Sequence, residues 1–505
     1  MTKQPFALRL QDTDNILIAL RAIPEGTILP DNLVTREPIP AGHKVAAKPI
    51  GAGENVLKYG QIIGTATTDI AVGSHVHSHN LGMGEHKQDY GFGSAAQELA
   101  PIESTATFKG YKRPSGRVGT RNYLGILTSV NCAGSVGRFI AEAATRENLM
   151  AAFPNVDGIV PIVHGTGCGM SSKGEGYDTL FRTLAGYGHN PNFGAILMIG
   201  LGCEVMQIPD LIDRKVLRDS ARFRYMTIQQ QGGTRATIDK GLSILRDLAA
   251  EADRAVREDV SAKHLVLGMQ CGGSDGYSGI TANPALGAAS DLVVRHGGTS
   301  ILSETSEIYG AEHLLTRRAV DEPTGRKLVD LLDWWEDYTA RNFGEMDNNP
   351  SPGNKRGGLT TILEKSLGAV AKGGTAPLAG IYKYAEPIDQ AGFVFMDSPG
   401  YDPCSVTGQT ASGANLIAFT TGRGSVSGYQ PVPSIKIASN PDLWTRMEGD
   451  MDVNGGEILD GVSIEDKGQE IFDLMLRVAS GEKTKSEAQG FGAVEFVPWQ
   501  IGAVM

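Results

Sequence analysis

The stretch "GSHVHSHN", residues 73–80, is the densest group of chemistry-bearing side chains in the chain, because it holds three of only ten histidines. His75, His77 and His79 occupy every second position, and in an extended strand such positions share one face. Gly73 before them and "NLGMG" after them disfavour a helix. The spacing therefore predicts a short strand or turn edge that presents three imidazoles, groups that bind transition metals and transfer protons near neutral pH.

A single metal ion is not expected to take all three rings. Residues i and i+4 of a straight strand lie about 13 Å apart, whereas metal–nitrogen bonds are about 2 Å long. We expect His75 and His77 to ligate a metal ion, and His79 with Asn80 to contact a substrate. The alternative is a set of histidines that only form hydrogen bonds within the protein.

Four of the five cysteines follow apolar segments that are typical of buried strands. The segments "YLGILTSVN", "GIVPIVHGTG", "GAILMIGLG" and "HLVLGMQ" precede Cys132, Cys168, Cys203 and Cys271 respectively. The carboxyl ends of parallel strands collect ligands, so these thiols are alternative ligands for a soft metal or an iron–sulfur cluster. The closely spaced cysteine runs of most cluster sites are missing, however, and free cysteine is also a common small core residue.

Acids and a further histidine are expected at the same strand ends. His164 lies in "VHGTGC", Glu204 in "GLGCE", Asp275 in "CGGSDGYSG", and Glu304 and Glu307 in "LSETSEIYG". Such groups serve general acid–base catalysis when burial and neighbours tune their pKa values. The alternatives are a turn cap for Asp275 and a solvated surface acid for Glu304.

The elements that position these residues change in character along the chain. Residues 1–100 hold short β-like runs and a polar, glycine-containing linker, which predicts a small all-β module. Residues 101–260 and 261–505 alternate apolar runs with helical segments, which predicts two α/β domains with mainly parallel sheets. In the last domain, "FTTGRGSVSG" places Arg423 after an apolar strand, a layout that suits an anionic group.

Composition limits the classes of partner. A net charge of -11 without a basic run argues against a nucleic-acid surface, and no apolar run approaches the roughly 18 residues that a membrane span needs. The N-terminal residues lack a hydrophobic signal region, so we expect a cytoplasmic protein with reduced thiols. Small molecules are the expected partners, and a homo-oligomer is compatible with the sequence.

The order of the motifs resembles the altronate dehydratase and galactarate dehydratase family over almost the whole chain. The motifs are "GHKVA", "KYGQIIG", "DIAVGSHVHSHN", "GRVGTRNYLGI", "HGTGCG", "GLGCE", "CGGSDGYSGITANP", "NPSPGNK" and "TGRGS". The resemblance implies an SAF-type β module fused to a two-part catalytic region. It also implies loss of water from a sugar acid to give a 2-keto-3-deoxy acid, with divalent iron or manganese as the activating metal.

That chemistry explains the residue types. Removal of the proton next to a carboxylate creates an enediolate, whose charge needs a Lewis acid and cationic donors. The resemblance assigns substrate contacts to His79, Asn80, Arg121, Asn122, Asp275 and Arg423. The candidates for catalysis, which the sequence does not rank, are His164, Glu204, Glu304 and Lys355.

One motif departs from the family pattern and leaves the substrate open. "VHGTGCGM" keeps the histidine and cysteine of the "SHTYGC" form but lacks its aromatic residue, so another aldonate or aldarate is compatible with the sequence. A sulfo-lyase acting on sulfolactate is one rival, because it uses the same proton abstraction. A non-catalytic protein that binds a sugar acid or a metal is the other.

Overall fold

The computed structural model describes residues 5–84, 90–103, 106–214, 217–218, 220–502 and 504. Part of the predicted linker, residues 85–89 and 104–105, lies outside the described residues. The chain forms an N-terminal β module and two parallel sheets that are covered by helices. This confirms the predicted fold class.

The N-terminal module consists of two small antiparallel sheets. Its strands are β1 (Ala7–Leu8), β2 (Ile16–Ala19), β3 (Lys44–Ala46), β4 (Asn55–Lys58), β5 (Gln61–Ala66), β6 (His75–Val76) and β7 (Leu81–Gly82). The sheet orders are β1-β2-β3-β6 and β4-β5-β7. Val45 pairs with His75 and Lys44 with Val76 in the first sheet. The buried side chains of Val45 and Val76 therefore lie on opposite faces of this sheet and pack into different core clusters.

The middle of the chain contributes seven further strands. They are β8 (Thr107–Lys112), β9 (Val118–Gly119), β10 (Tyr123–Thr128), β11 (Gly158–Ile162), β12 (Phe193–Gly200), β13 (Phe223–Thr227) and β14 (Glu258–Ser261). Strands β14, β8 and β9 form an antiparallel sheet in that order, whereas β11-β10-β12-β13 is wholly parallel. Helices α1 (Gly134–Arg146), α2 (Glu175–His189), α3 (Ile208–Asp213) and α4 (Thr234–Ala252) accompany the parallel strands.

The C-terminal domain is built on a seven-stranded parallel sheet of order β17-β18-β16-β15-β19-β20-β21. The strands are β15 (Val266–Cys271), β16 (Thr299–Leu302), β17 (Leu378–Tyr382), β18 (Gly392–Met396), β19 (Leu416–Thr421), β20 (Ser434–Ala438) and β21 (Val453–Asn454). The chain leaves β15 toward one side and later reaches β19 on its other side. The sheet therefore has a topological switch point between β15 and β19, where parallel sheets open a ligand crevice.

Nine helices of the described chain belong to this domain. They are α5 (Ala282–Arg295), α6 (Glu312–Thr316), α7 (Glu322–Arg341), α8 (Pro352–Arg356), α9 (Ile362–Val370), α10 (Asp402–Ser412), α11 (Pro441–Arg446), α12 (Ile464–Ala479) and α13 (Lys485–Gln489). Within the described ranges, no helix has the length and apolar character that a membrane crossing needs.

The two parallel sheets correct one expectation. Cys132, Cys168 and Cys203 follow β10, β11 and β12 of the middle sheet, whereas Cys271 ends β15 of the C-terminal sheet. The apolar segments that precede these cysteines are similar, but the sheet to which each strand adds is set by long-range pairing. The expectation of one shared strand edge for the four cysteines is therefore wrong.

Candidate active site

Four histidines of the N-terminal module lie together at its boundary with the C-terminal domain. This histidine cluster consists of His43, His75, His77 and His79. The ring centroids of His43 lie 5.1 Å from His75 and 4.8 Å from His77, and those of His75 lie 5.4 Å from His77 and 5.5 Å from His79. The prediction of about 13 Å between the outer residues is wrong, because β6 ends at Val76 and a turn brings His79 back toward His75.

Asn80 builds this turn. Its amide oxygen accepts from the backbone N–H of His77 at 2.9 Å, and its amide nitrogen donates to the carbonyl of His75 at 2.9 Å. The side chain is buried. These contacts give Asn80 a structural task in place of the expected substrate contact.

Hydrogen bonds to helix α8 assign the proton positions on the rings. His43 Nε2 lies 3.3 Å from the carbonyl of Arg356, to which only its N–H can donate. In the neutral ring His43 Nδ1 is then an acceptor, and it lies 2.9 Å from His75 Nε2, which donates to it. His75 Nδ1 is left with a lone pair.

The ring of His77 is held in the same way. Its Nε2 lies 2.8 Å from the carbonyl of Lys355, and its Nδ1 lies 3.0 Å from the Ser78 hydroxyl. The first contact requires an N–H on Nε2, so Nδ1 accepts from Ser78. Both ring nitrogens of His77 thus form hydrogen bonds. His77, a predicted metal ligand, can bind a metal ion only when its hydrogen bond with Ser78 is broken.

The rings of His43, His75 and His77 are neutral near pH 7. Burial lowers the pKa of His43 to about 4 and, together with the neighbouring rings, the pKa of His75 to about 3. Burial also lowers the pKa of His77, against the opposing effect of its bond to Lys355. Neutral imidazoles offer lone pairs to a metal ion or to a proton.

Helix α8 connects the cluster to the crevice of the C-terminal sheet. Ser351 and Asn354 form a capping box at its start, and Asn354 Nδ2 donates to the carbonyl of Ser274 at 2.8 Å. The loop after β15 is joined to α8 again by the bond from the N–H of Gly276 to the carbonyl of Gly357, at 2.8 Å. The histidines therefore lie next to the carboxyl end of β15.

Two cationic side chains flank this crevice. The backbone N–H groups of Gly422 and Arg423 donate to the carbonyl of Gly273 at 3.1 and 2.9 Å, which joins the loops after β15 and β19. The Arg423 side chain is exposed, and Lys355 on α8 is half-buried. Arg423, a predicted substrate contact, and Lys355, a candidate for catalysis, are thus both available to an anion at this edge.

Buried charges lie at the ends of the neighbouring strands. Glu307 Oε1 accepts from Lys365 Nζ at 2.6 Å, and Glu304 lies 3.7 Å from Lys372 Nζ. Neither carboxylate oxygen of the fully buried Glu304 has a hydrogen-bond partner among the described residues. Burial and the charge of Glu307 raise the pKa of Glu304 well above its usual range.

Glu304 also has an unusual backbone, with φ of 73° in the left-handed region, which costs roughly 1 kcal/mol or more in a residue other than glycine. Asp402, the first residue of α10, is half-buried in the same region. Burial and Glu307 raise the pKa of Asp402 to about 6. Because Glu304 is inaccessible, it can influence a substrate only through its neighbours, whereas Asp402 is partly accessible.

A second group of polar residues lies at the carboxyl edge of the middle sheet. Cys132, Cys168 and Cys203 are exposed there. Glu204 is buried and accepts from the Ser129 hydroxyl at 2.6 Å and from the N–H of Gly202 at 2.6 Å. The expectation that all acids and histidines share one edge is wrong, since Glu204 belongs to the middle sheet and Glu304 to the C-terminal sheet.

His164 is also enclosed at this edge of the middle sheet. Its Nε2 donates to the carbonyl of Thr128 at 2.9 Å, and its Nδ1 accepts from the N–H of Thr166 at 3.3 Å. Burial lowers the pKa of His164 to about 4. Both ring nitrogens of His164 form hydrogen bonds with backbone groups. This arrangement indicates a structural role and leaves no free nitrogen for proton transfer.

Arg121 and Asn122 lie at the amino end of β10, the opposite end of the strand from the cysteines. Arg121 forms a bidentate pair with Glu487, at 2.7 Å for each bond, and donates to the carbonyl of Val478. Asn122 donates to the carbonyl of Ala252. The side chains of Arg121 and Asn122 are buried, so the structure gives no support to the substrate contacts that the resemblance implies.

Asp275 is likewise occupied. Its carboxylate accepts from the hydroxyl groups of Ser278 and Ser439 at 3.0 and 2.8 Å and from Asn440 Nδ2 at 2.9 Å. It is buried within the loop that follows β15. The turn-cap alternative describes this residue better than substrate binding.

Sequence reasoning missed His43 and the charges that dock the module. Lys44 and Lys58 donate to the two carboxylate oxygens of Glu364 at 2.8 and 2.9 Å, and all three side chains are buried. Burial alone would raise the pKa of Glu364, but the two ammonium groups outweigh it and hold this pKa well below its usual range. The available signal was the presence of lysine inside apolar strands of the motifs "GHKVA" and "KYGQIIG".

Across the described residues, no group of three or more His, Cys, Asp or Glu side chains has an arrangement that could hold a metal ion. The donor set of the histidine cluster still fits a divalent transition metal in its chemistry, because neutral imidazoles are ligands for such ions. The lone pair of His75 Nδ1 is not used in a hydrogen bond to any described residue, so this ring nitrogen is available to a metal ion.

Comparison with known families finds three successive domain matches along the chain. The altronate/galactarate dehydratase SAF domain matches residues 5–84, the second domain of D-galactarate dehydratase/altronate hydrolase matches residues 110–253, and the C-terminal D-galactarate/altronate dehydratase domain matches residues 262–504.

Individual relatives agree with these matches. A galactarate dehydratase (L-threo-forming) of Escherichia coli is 38% identical over 95% of this chain and 94% of its own, and an altronate dehydratase of Bacillus subtilis is 34% identical over 96% and 97%. A (2R)-sulfolactate sulfo-lyase subunit beta of Chromohalobacter salexigens is 31% identical over 76% of this chain and 95% of its own. With two dehydratases related over nearly their full length and all three family domains in order, the chain belongs to the altronate/galactarate dehydratase family.

Proposed function

We propose that this protein is a hydro-lyase that removes water from an aldonate or aldarate, such as altronate or galactarate, and forms a 2-keto-3-deoxy acid. The observation that carries the proposal is the contact between the histidine cluster, in which His43, His75 and His77 are neutral, and α8 at the switch-point crevice. The loop after β15 is bonded both to α8, which carries Lys355, and to the loop that carries Arg423. This arrangement supplies proton acceptors and cations for a substrate that is an anion with an acidic C2 proton.

The substrate carboxylate binds the exposed guanidinium of Arg423, which can form two parallel hydrogen bonds with it. His79 is our candidate base, because it is the exposed ring of the cluster, whereas His43 and His77 use both ring nitrogens within the protein. The C2–H bond breaks and the proton moves to the His79 ring. The electron pair moves into the carboxylate and gives the enediolate.

The C2–C3 double bond then forms as the C3–O bond breaks, and the leaving hydroxide takes a proton from the Lys355 ammonium and departs as water. The enol that remains gains a proton at C3 from the His79 ring and loses its C2 hydroxyl proton to the Lys355 amine, which gives the keto acid and restores both side chains. Glu304 and Lys372 contribute as positioning groups beneath the crevice, since neither is exposed.

The metal part of the proposal assigns a divalent iron or manganese ion to His75 and, after release of the Ser78 hydroxyl, to His77. When bound, such an ion supplies Lewis-acid stabilisation for the enediolate charge. The alternative is an iron–sulfur cluster at the exposed Cys132, Cys168 and Cys203, without Cys271, which is buried in the other sheet. Iron and acid-labile sulfide per chain distinguish the two, because only the cluster contains sulfide.

The test is a substrate panel with the full chain, purified without oxygen and supplied with iron(II) or manganese(II). Galactarate, altronate and other hexonates are expected to release a 2-keto acid, whereas sulfolactate is expected to release no sulfite. Sulfite release without keto-acid formation from any sugar acid would establish the sulfo-lyase instead. Binding of a sugar acid without turnover would establish the non-catalytic alternative.

A matched pair of variants tests the base. His79→Gln is expected to lower kcat by at least roughly 100-fold and to abolish exchange of the substrate C2 hydrogen with deuterium from the solvent. His264→Gln, a half-buried histidine after β14, serves as the control with unchanged exchange. Unchanged C2 exchange in His79→Gln would assign the base to another residue.

A further inference from the structure

A cationic cavity lies at the amino-terminal edge of the middle sheet, away from the cysteine edge. Its volume is about 560 Å³, within the range that small-molecule sites occupy. The turn after β8, the end of α2 and the starts of β12 and β13 surround it. Its basic lining residues are Arg113, His189, Arg218 and Arg222, and its described lining includes no Asp or Glu.

Arg113 is the buried cation of this cavity, with 8% of its surface exposed. Its Nε donates to the carbonyl of Pro191 at 2.7 Å and its Nη2 to the carbonyl of Arg121 at 3.1 Å. Nη1 is buried and has no partner within the described chain. An unpaired donor on a buried charge is costly, so the positive charge of Arg113 is incompletely compensated within the protein.

Neighbouring positive charges further destabilise the charged form of Arg113. Arg222 lies close enough to lower the pKa of Arg113, which burial mainly brings to about 10. The nearest carboxylate to Arg222 is Glu251 at 3.7 Å, and Glu251 also pairs with Arg254 at 2.8 Å. Asp157 raises the pKa of Arg113, so Glu251 and Asp157 compensate these guanidinium groups only in part.

The end of α2 does not remove the excess charge. The carbonyl groups at a helix C-terminus act as roughly half a negative charge. Three arginines at the cavity carry three positive charges, so the local excess of positive charge remains. Apolar side chains cover the rest of the wall, namely Pro114, Pro191, Phe193, Leu217 and Phe223.

We propose that this cavity is a binding site for a small organic anion whose carboxylate or phosphate group pairs with Arg113, Arg218 and Arg222. The guanidinium forks suit both head groups, and the apolar wall suits a short carbon body. The site lies at the opposite end of the middle sheet from Cys132 and belongs to a different domain from the histidine cluster. Its ligand is therefore an effector and takes no part in the dehydration.

Isothermal titration of the full chain with inorganic phosphate and, separately, with succinate tests the site. Neither probe is a sugar acid, so the result is independent of the proposed catalytic function. Binding of at least one probe with Kd below about 1 mM is expected, and the tighter probe identifies the head group. Absence of binding by both probes would overturn the proposal.

Variants locate the binding without disturbing Arg113, whose bonds to two carbonyls support the fold. Arg222→Gln and Arg218→Gln are each expected to weaken binding roughly tenfold, the effect of losing one charge-assisted hydrogen bond. Arg326→Gln, an exposed arginine on α7, is the matched control and keeps the wild-type affinity. Equal affinity in all the variants would place the anion elsewhere and overturn the proposal.

Discussion

Two arginines show at the residue scale how similar motifs lead to different tasks. Arg121 in "GTRN" and Arg423 in "TGRG" both lie beside glycine and threonine near an apolar strand. Arg121 precedes its strand and is buried against Glu487, whereas Arg423 follows its strand and is exposed at the crevice. The position relative to the strand decides whether the guanidinium faces protein or solvent.

Arg121→Met is expected to lower the free energy of unfolding by about 3–5 kcal/mol, because it leaves the Glu487 carboxylate buried without its partner. The KM for the sugar acid should remain unchanged in the folded fraction. Chemical denaturation and steady-state kinetics provide the two measurements. The double variant Arg121→Met/Glu487→Leu should recover part of the stability, and a raised KM with unchanged stability would restore the substrate role of Arg121.

The buried His164 is expected to make the free energy of unfolding depend on pH. The pKa of His164 is about 4 in the folded protein and about 6.5 in the unfolded chain, so the unfolded chain binds more protons between these values. Stability is therefore lost as the pH falls from about 6.5 to 4, with a contribution of up to about 3 kcal/mol from this group. Urea unfolding at several pH values should show a smaller loss in His164→Gln, and an equal loss in both proteins would contradict the assignment.

At the scale of elements, α8 determines the proton positions of the histidine cluster. The carbonyls of Lys355 and Arg356 are acceptors for His77 and His43 because the C-terminal carbonyls of a helix lack partners within it. The helix has only five residues, so its capping box and the bond from Asn354 to Ser274 hold it in place. The ring orientation of the histidines thus depends on a short helix in another domain.

Ser351→Ala removes the hydroxyl of this capping box and should destabilise the protein by about 1 kcal/mol. It should also lower kcat by about tenfold or more, because small displacements of reacting groups are costly. Ser463→Ala at the start of α12 removes a comparable cap remote from the cluster and serves as the control. Thermal unfolding and kinetics should show similar stability losses but a kcat loss in Ser351→Ala alone; equal kcat values would separate α8 from catalysis.

At the scale of the whole molecule, the N-terminal module and the C-terminal domain are joined by a buried ion triad. Glu364 on α9 receives Lys44 from β3 and Lys58 from β4, and Thr360 donates to the same carboxylate at 2.7 Å. Lys44 also donates to the carbonyl of Gly358 at 2.7 Å. The charges are satisfied only when the module is docked, so the triad couples docking to the assembly of the histidine cluster.

Glu364→Gln should lower the free energy of unfolding by about 3–5 kcal/mol, since two ammonium groups lose their buried counter-ion. The module should also become more accessible to limited proteolysis between residues 84 and 106. Glu322→Gln, which breaks the exposed pair with Arg326, should change stability by less than about 1 kcal/mol. Equal proteolysis of the two variants would show that other contacts dock the module.

Local patterns were sufficient for much of the architecture. The apolar segments before Cys132, Cys168, Cys203 and Cys271 form buried parallel strands, and the histidines around His77 lie close together in the structure, while their functional role stays a prediction. Family motifs predicted the membership that the comparisons confirm. The antiparallel sheet of β8, β9 and β14 was missed because β14 pairs with a strand that is distant in sequence. The turn after Val76 was missed because it depends on the side chain of Asn80, which bonds to backbone groups that precede it.

The sequence by itself determined the residue types, the strand and helix periodicities and the family of this protein, since these are properties of neighbouring residues. Only the tertiary structure decided that His43 joins the histidine cluster and that Lys355 and Arg356, about 280 and 310 positions away from their partners, orient the rings. It also placed Cys271 apart from the other cysteines and buried Arg121. The physical reason is that burial and hydrogen-bond partners, which decide charge and accessibility, arise when distant segments pack.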